Sequence, residues 1–431
     1  MAGEPRRVAV TGVGVVTALG ASTAKTWEGL VEGRSGIGPI HGYDVSSLRT
    51  KIGGEAGEFD PKEHVHPKIV RKLTRGDQFA LVGAILAMAD AALELSEEAG
   101  TRCALFLGGD KEVSDLMHLL EPTLAARNPD GSVDIARFGE SAQTTAYPLF
   151  YVEGLQAAPL FYISERFQVR GPNTYFAGTA EAGLTAIGRA FRAVKWGEAD
   201  AAIAGGYDDA LSWWNTTKLD EFDGYLTGRN DLGAAACRPF DRDRDGTVLG
   251  EGTAFVVLEE LEAASRRGAR IYAEVTGFGS GTDASRASQP HPDGRGLVVA
   301  LGKALREAKL EPAAVDYVAA HGEATRAGDA SEATAIEHVF SGGRGPVAAS
   351  SVKPATGNLV AAAGALNAAV AALAVHHSTV PPTLNLEHPD PECNHADWIP
   401  RQAREMPVTH ALALARGFAG QNVVLALKAV T

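Results

Sequence analysis

The residues of this chain that could do chemistry lie in four segments rich in glycine and in charged or polar side chains. These segments are Arg238–Gly252, Ala320–Asp329, Ser351–Gly364 and Gly417–Asn422. The second contains His321, and an imidazole can hold or transfer a proton near neutral pH. The third contains Lys353. His321 is therefore the first candidate for proton chemistry, although a lone histidine also suits a hydrogen-bonded place in a core.

The three cysteines, Cys103, Cys237 and Cys393, show neither a CxxC pattern nor a histidine at metal-ligand spacing. An odd number of cysteines in a chain of 431 residues does not suggest a disulfide-stapled scaffold. We expect all three to be small, buried, apolar side chains in a reducing cytosol. A zinc module and a disulfide scaffold are excluded, and no metal site is expected.

Charge and composition narrow the class of protein further. Lys and Arg number 40 and Asp and Glu number 53, so the net charge is −13. This balance argues against nucleic-acid binding and against an anionic membrane surface, since both need clustered basic residues. The polar start, Met1–Arg7, lacks the apolar core of a signal peptide, so we expect a cytoplasmic protein.

The elements that must position these segments alternate between strands and helices. Short apolar strands are predicted at 8–10, 103–107, 201–204, 254–258, 271–275, 315–319 and 422–428, and helices at 77–95, 185–196, 297–308 and 330–340. Continuous apolar strands indicate sheets covered by helices on both faces. The pattern recurs in both halves of the chain, so we expect an N-terminal half over 1–262 and a C-terminal half over 263–431. Residues 125–150 are the least regular and are predicted to form an excursion on one face.

One uncharged stretch, Pro354–Val375, could suggest a membrane span. It is built of alanine and glycine and is interrupted by Asn358 and Asn367. Small residues favour close helix packing, and length alone does not make a span. We predict a buried helix there and no membrane association.

Together the four segments resemble the β-ketoacyl-acyl-carrier-protein synthases. The start Val10-Thr11-Gly12-Val13-Gly14 and the run from Gly171-Pro172 to Gly188 add to the likeness, which covers essentially the whole chain in the same order. The resemblance implies a thiolase-like α/β fold of two fused, similar halves in a layered αβαβα arrangement. It also implies condensation of acyl thioesters by a cysteine at a helix N-terminus and two histidines that stabilise an enolate.

Three positions of that implied site are altered. The position of the nucleophilic cysteine, nine residues after Gly171, is Ala180, and a methyl group cannot form a thioester. His321 keeps the first histidine position, but Asn358 occupies the second, and an amide cannot shuttle a proton. Glu323 replaces a threonine that resembles a pantetheine contact, whereas Thr325 is kept.

Other positions of the resemblance are retained. Lys353 is kept, and Glu332 lies where the family places its buried acidic partner, so we interpret them as a structural charge pair. Phe418 resembles the family's gating phenylalanine, with Ala419 in place of a more usual glycine. Glu181, next to Ala180, is a poor substitute for the missing cysteine as the residue that carries the acyl group.

The resemblance is strongest to the chain length factor, or ketosynthase β subunit, of type II polyketide synthases. Such a subunit pairs with a cysteine-containing ketosynthase and shapes the tunnel for the growing chain made from malonyl-carrier protein. By resemblance, Asp110, Val113 and Met117 are the tunnel residues on one face of a helix after Gly108-Gly109. Ordinary interface packing would explain Val113 and Met117 equally well.

Two alternatives stay open. The chain could be a cysteine-independent enzyme of this fold that uses His321, Lys353 or Glu181 for decarboxylation, dehydration or another acyl reaction. In malonyl decarboxylation Asn358 could serve as a weak second enolate stabiliser. It could also be a purely structural partner. No cofactor is expected, because the phosphopantetheine arm belongs to the acyl carrier protein, and the acidic charge of this chain favours docking of that acidic protein mainly on the ketosynthase partner.

Overall fold

The computed structural model describes residues 4–110, 117–146, 155, 157–222, 224–285, 289–343 and 345–430. Its main strands are β1 Val8–Val16, β2 Cys103–Gly109, β3 Asn173–Ala177, β4 Ala201–Asp208, β5 Gly252–Glu260, β6 Ala273–Thr282, β7 Tyr317–Ala319, β8 Ala348–Ser350, β9 Asp397–Trp398, β10 His410–Arg416 and β11 Gln421–Lys428. Its α-helices are α1 Thr23–Val31, α2 Pro67–Val70, α3 Arg75–Ala91, α4 Glu97–Thr101, α5 Met117–Ala126, α6 Ile135–Thr145, α7 Ala158–Phe167, α8 Ala180–Lys195, α9 Trp213–Asp220, α10 Leu261–Arg266, α11 Arg295–Ala308, α12 Arg326–Phe340, α13 Lys353–Thr356 and α14 Ala363–His377.

The strands form one sheet of eleven with the order β9-β8-β7-β10-β11-β6-β1-β5-β4-β2-β3. Within the N-terminal half the order is β3-β2-β4-β5-β1, with parallel pairing among the first three strands and antiparallel pairing after them. The C-terminal half repeats this order and these directions as β8-β7-β10-β11-β6. The two halves meet where Val8–Val10 pair with Ala273–Val275. The fold is therefore a duplicated, thiolase-like α/β unit, as the sequence predicted.

The core is divided into layers by the sheet. Helices α8 and α14 pack on each other in a central apolar cluster to which both halves of the sheet contribute. Helix α3 covers the outer face of the N-terminal half, and α11 covers that of the C-terminal half. The predicted αβαβα arrangement is confirmed by these three helical layers. All three cysteines are buried and free, as expected from the sequence.

The apolar stretch that begins at Pro354 departs from the predicted single helix. Helix α13 ends at Thr356 because Gly357 has a φ of +75°, and Val360 has a φ of +38° before α14 begins. Residues Val360–His377 have the length and hydropathy of a membrane span, but 89% of that window is buried inside the protein. The apolar composition of α14 is explained by its place between the two halves of the sheet.

The region after β2 also differs from the prediction. Asp110 is not helical, so the helix predicted to begin there does not, and Val113 lies outside the described residues. Met117 is the first residue of α5. The excursion predicted at 125–150 is more regular than expected, because α5 and α6 pack together there as a helical pair.

Candidate functional site

Four turns that follow strands meet around one small cavity. Strand β3 leads to Ala180, β7 leads to His321, β8 leads to the turn that holds Asn358, and β10 leads to Phe418. All four residues line a cavity of about 40 Å³. A cavity of that size holds only a few water molecules. Four sites predicted from separate motifs are thus brought together by the fold.

Ala180 is the first residue of α8 and is 4% exposed. A helix N-terminus stabilises a nearby anion, which is the environment that activates a thiol. Here the position carries only a methyl group, which has no electron pair to donate to a thioester.

Glu181 turns back over the start of its own helix instead of facing the cavity. Its carboxylate accepts hydrogen bonds from the backbone N–H of Thr179 at 3.1 Å and from the Thr179 hydroxyl at 2.9 Å. The same hydroxyl accepts the N–H of Phe418 at 3.0 Å. Burial raises the pKa of Glu181, despite these hydrogen bonds. Glu181 therefore ties the start of α8 to the Phe418 loop and is not placed to accept an acyl group.

His321 has a partner on each ring nitrogen. Lys353 Nζ lies 3.4 Å from Nδ1, and Glu323 Oε2 lies 3.3 Å from Nε2. An ammonium group can only donate, so Nδ1 accepts and the imidazole proton lies on Nε2, where it is donated to Glu323. Burial and the Lys353 charge lower the pKa of His321, so the ring is neutral at pH 7.

Glu323 is the ionised partner in this contact. Burial alone would raise its pKa, but hydrogen bonds from His321 and from the Thr325 hydroxyl, at 2.8 Å, together with the charge of Arg416, lower the pKa of Glu323. The Nε2–H of His321 is thus donated to the Glu323 carboxylate and is not left unpaired in the cavity. The sequence identified Glu323 as a poor neighbour for a thioester, but it did not predict this contact with His321.

Asn358 is also engaged within the chain. Its Nδ2 donates to the Tyr225 hydroxyl at 3.3 Å, and its Oδ1 accepts the backbone N–H of Val360 at 3.2 Å. The ring of Tyr225 lies against that of Phe418 with centroids 4.5 Å apart. Burial raises the pKa of Tyr225 far above its ordinary value, so the phenol stays protonated. Tyr225 was missed by sequence reasoning because it belongs to none of the four segments.

Lys353 and Glu332 act on the same backbone segment from two sides. Lys353 Nζ donates to the carbonyl of His321, while the Glu332 carboxylate accepts the N–H groups of His321 at 2.7 Å and Gly322 at 2.8 Å. Within the described chain the two side chains share no direct ion pair, although the charge of Glu332 opposes the lowering of the Lys353 pKa by burial. Their observed contacts fix the position of His321.

Of the proposed tunnel residues, Asp110 is not among those that line this cavity. The Asp110 carbonyl accepts the Tyr175 hydroxyl at 2.7 Å at the end of β2. Its charge acts on a neighbouring carboxylate, since burial and the charges of Glu251 and Asp110 raise the pKa of Asp209 to about 7. The surroundings of Asp110 are therefore acidic.

Arg416 and Asp283 form a buried ion pair in the wall of the cavity. Arg416 donates to Asp283 at 3.3 Å, to Asn422 at 2.9 Å and to the Gly328 carbonyl at 3.0 Å. Both Arg416 and Asp283 line the cavity. Sequence reasoning did not single out either residue, because their partners come from distant parts of the chain.

Comparison with known proteins agrees with this geometry. The Beta-ketoacyl synthase N-terminal domain family matches residues 5–264, and the corresponding C-terminal domain family matches residues 272–387. The chain is 37% identical to the 3-oxoacyl-[acyl-carrier-protein] synthase 2 of Synechocystis sp. over 99% of this chain and 98% of the relative. It is also 37% identical to the synthase 2 of Coxiella burnetii, with 99% of each chain covered.

Solved structures of ketosynthases also superpose on this chain over nearly its full length. The ishigamide ketosynthase/chain length factor superposes with a TM-score of 0.88 at 31% identity, covering 99% of this chain and 100% of that one. A type II polyketide synthase acyl-carrier protein in complex with its ketosynthase bound to the hexaketide gives a TM-score of 0.87 at 28% identity, with 99% and 100% coverage. Because the two family models match most of the chain and the relatives are 37% identical over nearly its full length, the chain belongs to the β-ketoacyl synthase family.

Proposed function

We propose that this chain is a non-condensing ketosynthase-fold subunit of the chain length factor type. It would pair with a cysteine-containing ketosynthase and shape the tunnel in which a polyketide grows from malonyl-carrier protein. The observation that carries the proposal is the combined state of three positions: Ala180 has no nucleophile, the Nε2–H of His321 is already donated to Glu323, and one amide N–H of Asn358 is already donated to Tyr225. Loss of a single oxyanion donor costs about 10²–10³-fold in rate, so a site altered at all three positions is a poor catalyst.

An exposed sheet edge supports the proposal of a partner subunit. Strand β3 ends the sheet and pairs on one side only, with β2, among the described residues. An edge strand of this kind can pair with a strand of another chain. The ketosynthase/chain length factor structure with which this chain superposes is a relative named for such a pair.

The central test is mass analysis of the protein alone and with a co-expressed, cysteine-containing ketosynthase, each incubated with malonyl-carrier protein. We expect acyl loading and elongation only in the mixture. Decarboxylation or other turnover by the lone chain would overturn the proposal in favour of the cysteine-independent enzyme.

The tunnel hypothesis gives a separate prediction. Val113→Phe adds bulk at a predicted tunnel position and should shorten the polyketide made by the mixed complex, as measured by mass spectrometry of the products. Leu124→Phe is the matched control, because Leu124 is 57% exposed on α5. An unchanged product length with Val113→Phe would favour a purely structural partner.

A further inference from the structure

The small inner cavity beside Ala180 adjoins a larger outer one. The outer cavity has a volume of about 380 Å³ and is lined by Phe222, Thr325 and Arg326 among others. Five residues line both cavities: Tyr225, Gln289, Pro290, Glu323 and Phe418. These shared residues form a partition, and Ala180, His321 and Asn358 line only the inner side.

The two rings of the partition are held at their backbones as well as at their edges. The Tyr225 carbonyl accepts the N–H of Thr247 at 2.7 Å, and the Tyr225 N–H donates to Phe222 at 3.1 Å. At the other end of the ring, the hydroxyl accepts Asn358 Nδ2. Phe418 is held through its own N–H by Thr179. Both rings are therefore fixed in contact with each other, 4.5 Å apart at their centroids.

The inner cavity is too small for an acyl group, so the partition determines whether a ligand can reach Ala180. Sites that take small organic ligands have volumes of about 300–1,000 Å³, and the inner cavity, about 40 Å³, is far below that range. The outer cavity, about 380 Å³, lies within it. A thioester arm that fills the outer cavity would have to displace an aromatic ring to reach Ala180.

We propose that Tyr225 is a blocking residue, which seals the inner cavity against acyl groups carried on a thioester arm. This inference rests on the proposed non-condensing function and adds a second barrier to it. Ala180 provides no nucleophile, and the Tyr225 ring blocks the route by which a thioester would reach that position. The hydrogen bond from Asn358 positions the Tyr225 ring, so the amide that stands at a histidine position of the family has a structural task here.

A thiol introduced at the end of the passage would report on its closure. We would make Ala180→Cys in the full chain and measure the rate of alkylation by iodoacetamide, with and without Tyr225→Ala. The three native cysteines give little background, because burial raises the pKa of each to about 12. We expect the introduced thiol to react slowly while Tyr225 is present and at least about tenfold faster with Tyr225→Ala, since a closed site reacts only through its minor open population.

Two further variants separate the ring from its hydrogen bond and its neighbours. Tyr225→Phe keeps the ring and loses the Asn358 contact, so it should stay closer to the slow rate than Tyr225→Ala. Arg326→Ala, which shortens an exposed side chain that lines only the outer cavity, should leave the rate unchanged. Fast alkylation with Tyr225 present, or equal rates with and without it, would overturn the inference.

A second measurement avoids the introduced thiol, in case Ala180→Cys does not fold. Binding of S-acetyl-pantetheine to the otherwise native chain is measured by calorimetry, with and without Tyr225→Ala. We expect tighter binding, by about tenfold or more, once the side chain that blocks the inner cavity is removed; equal affinities would contradict the inference. Because neither measurement involves product length, the blocking role can fail while the chain length function stands, and the reverse also holds.

Discussion

At the scale of single residues, the site is defined by acceptors that belong to the chain itself. In an enzyme of this kind, donors must stay unpaired until charge develops on the substrate. In the resting protein His321 instead donates its Nε2–H to Glu323, and Asn358 donates one of its two amide N–H groups to Tyr225. Ala180→Cys alone would therefore restore a thiol but would not supply unpaired donors to stabilise an enolate.

The hydrogen bonds of Glu332 lead to a stability prediction. Glu332→Ala would leave two buried backbone N–H groups, those of His321 and Gly322, without their acceptor. Each such loss costs about 1–3 kcal/mol, so we expect a fall of about 2–6 kcal/mol in the free energy of unfolding. Urea denaturation followed by circular dichroism measures it.

The control lies on the same helix, α12. Glu337 is about half exposed beside His395, and Glu337→Ala should change the free energy of unfolding by less than about 0.5 kcal/mol. Equal effects of the two substitutions would contradict the structural role given to Glu332.

At the scale of elements, the site depends on the close crossing of α8 and α14. Gly364, at the start of α14, leaves no room for a side chain, because a Cβ there would lie 2.4 Å from the Ala180 carbonyl oxygen. The alanine-rich composition made a buried helix predictable. The break in the helix at Gly357 could not be predicted. It depends on hydrogen bonds between the Asn358 backbone and those of Val248 and Gly250, which are distant in sequence.

This crossing predicts opposite effects for two glycines. Gly364→Ala should destabilise the protein by about 1–3 kcal/mol, because the contacting atoms are backbone and Cβ atoms that cannot rotate away. Gly302→Ala, within α11, meets no atom within 4 Å and should stabilise it by about 0.5–1 kcal/mol. Thermal unfolding of both variants measures the difference, and a shift in the same direction would refute the packing argument.

At the scale of the whole molecule, the repeat of strand order explains what the sequence could and could not predict. Motifs at strand ends located Ala180, His321, Asn358 and Phe418, since a duplicated α/β fold gathers such turns. Tyr225 lies outside any repeat or motif, and only the folded chain shows that its hydroxyl meets Asn358. The sheet edge at β3 was likewise invisible, because edge position depends on the order of strands in space.

That edge yields a prediction about assembly. If a ketosynthase partner pairs with β3, amides of Asn173–Ala177 should exchange hydrogen more slowly in the mixed complex than in the lone chain. The opposite edge, β9 at Asp397–Trp398, should show no change. Hydrogen exchange with mass spectrometry measures both, and protection at β9 alone would place the partner elsewhere.

The joint between the two halves has one more consequence. Every long strand ladder among the described residues lies within one half, and the halves are joined by the pairs of Val8–Val10 with Ala273–Val275 and by the isolated bridges Leu249–Asn358 and Asp241–Pro389. The chain passes from one half to the other through the exposed turn Arg266–Gly268. A protein cut at that turn would leave two fragments, each with an intact five-strand unit and with one face of the shared α8–α14 core uncovered. Such fragments are natural halves for complementation: neither would be expected to persist alone, and their reassembly would rebuild the cavity from two polypeptides.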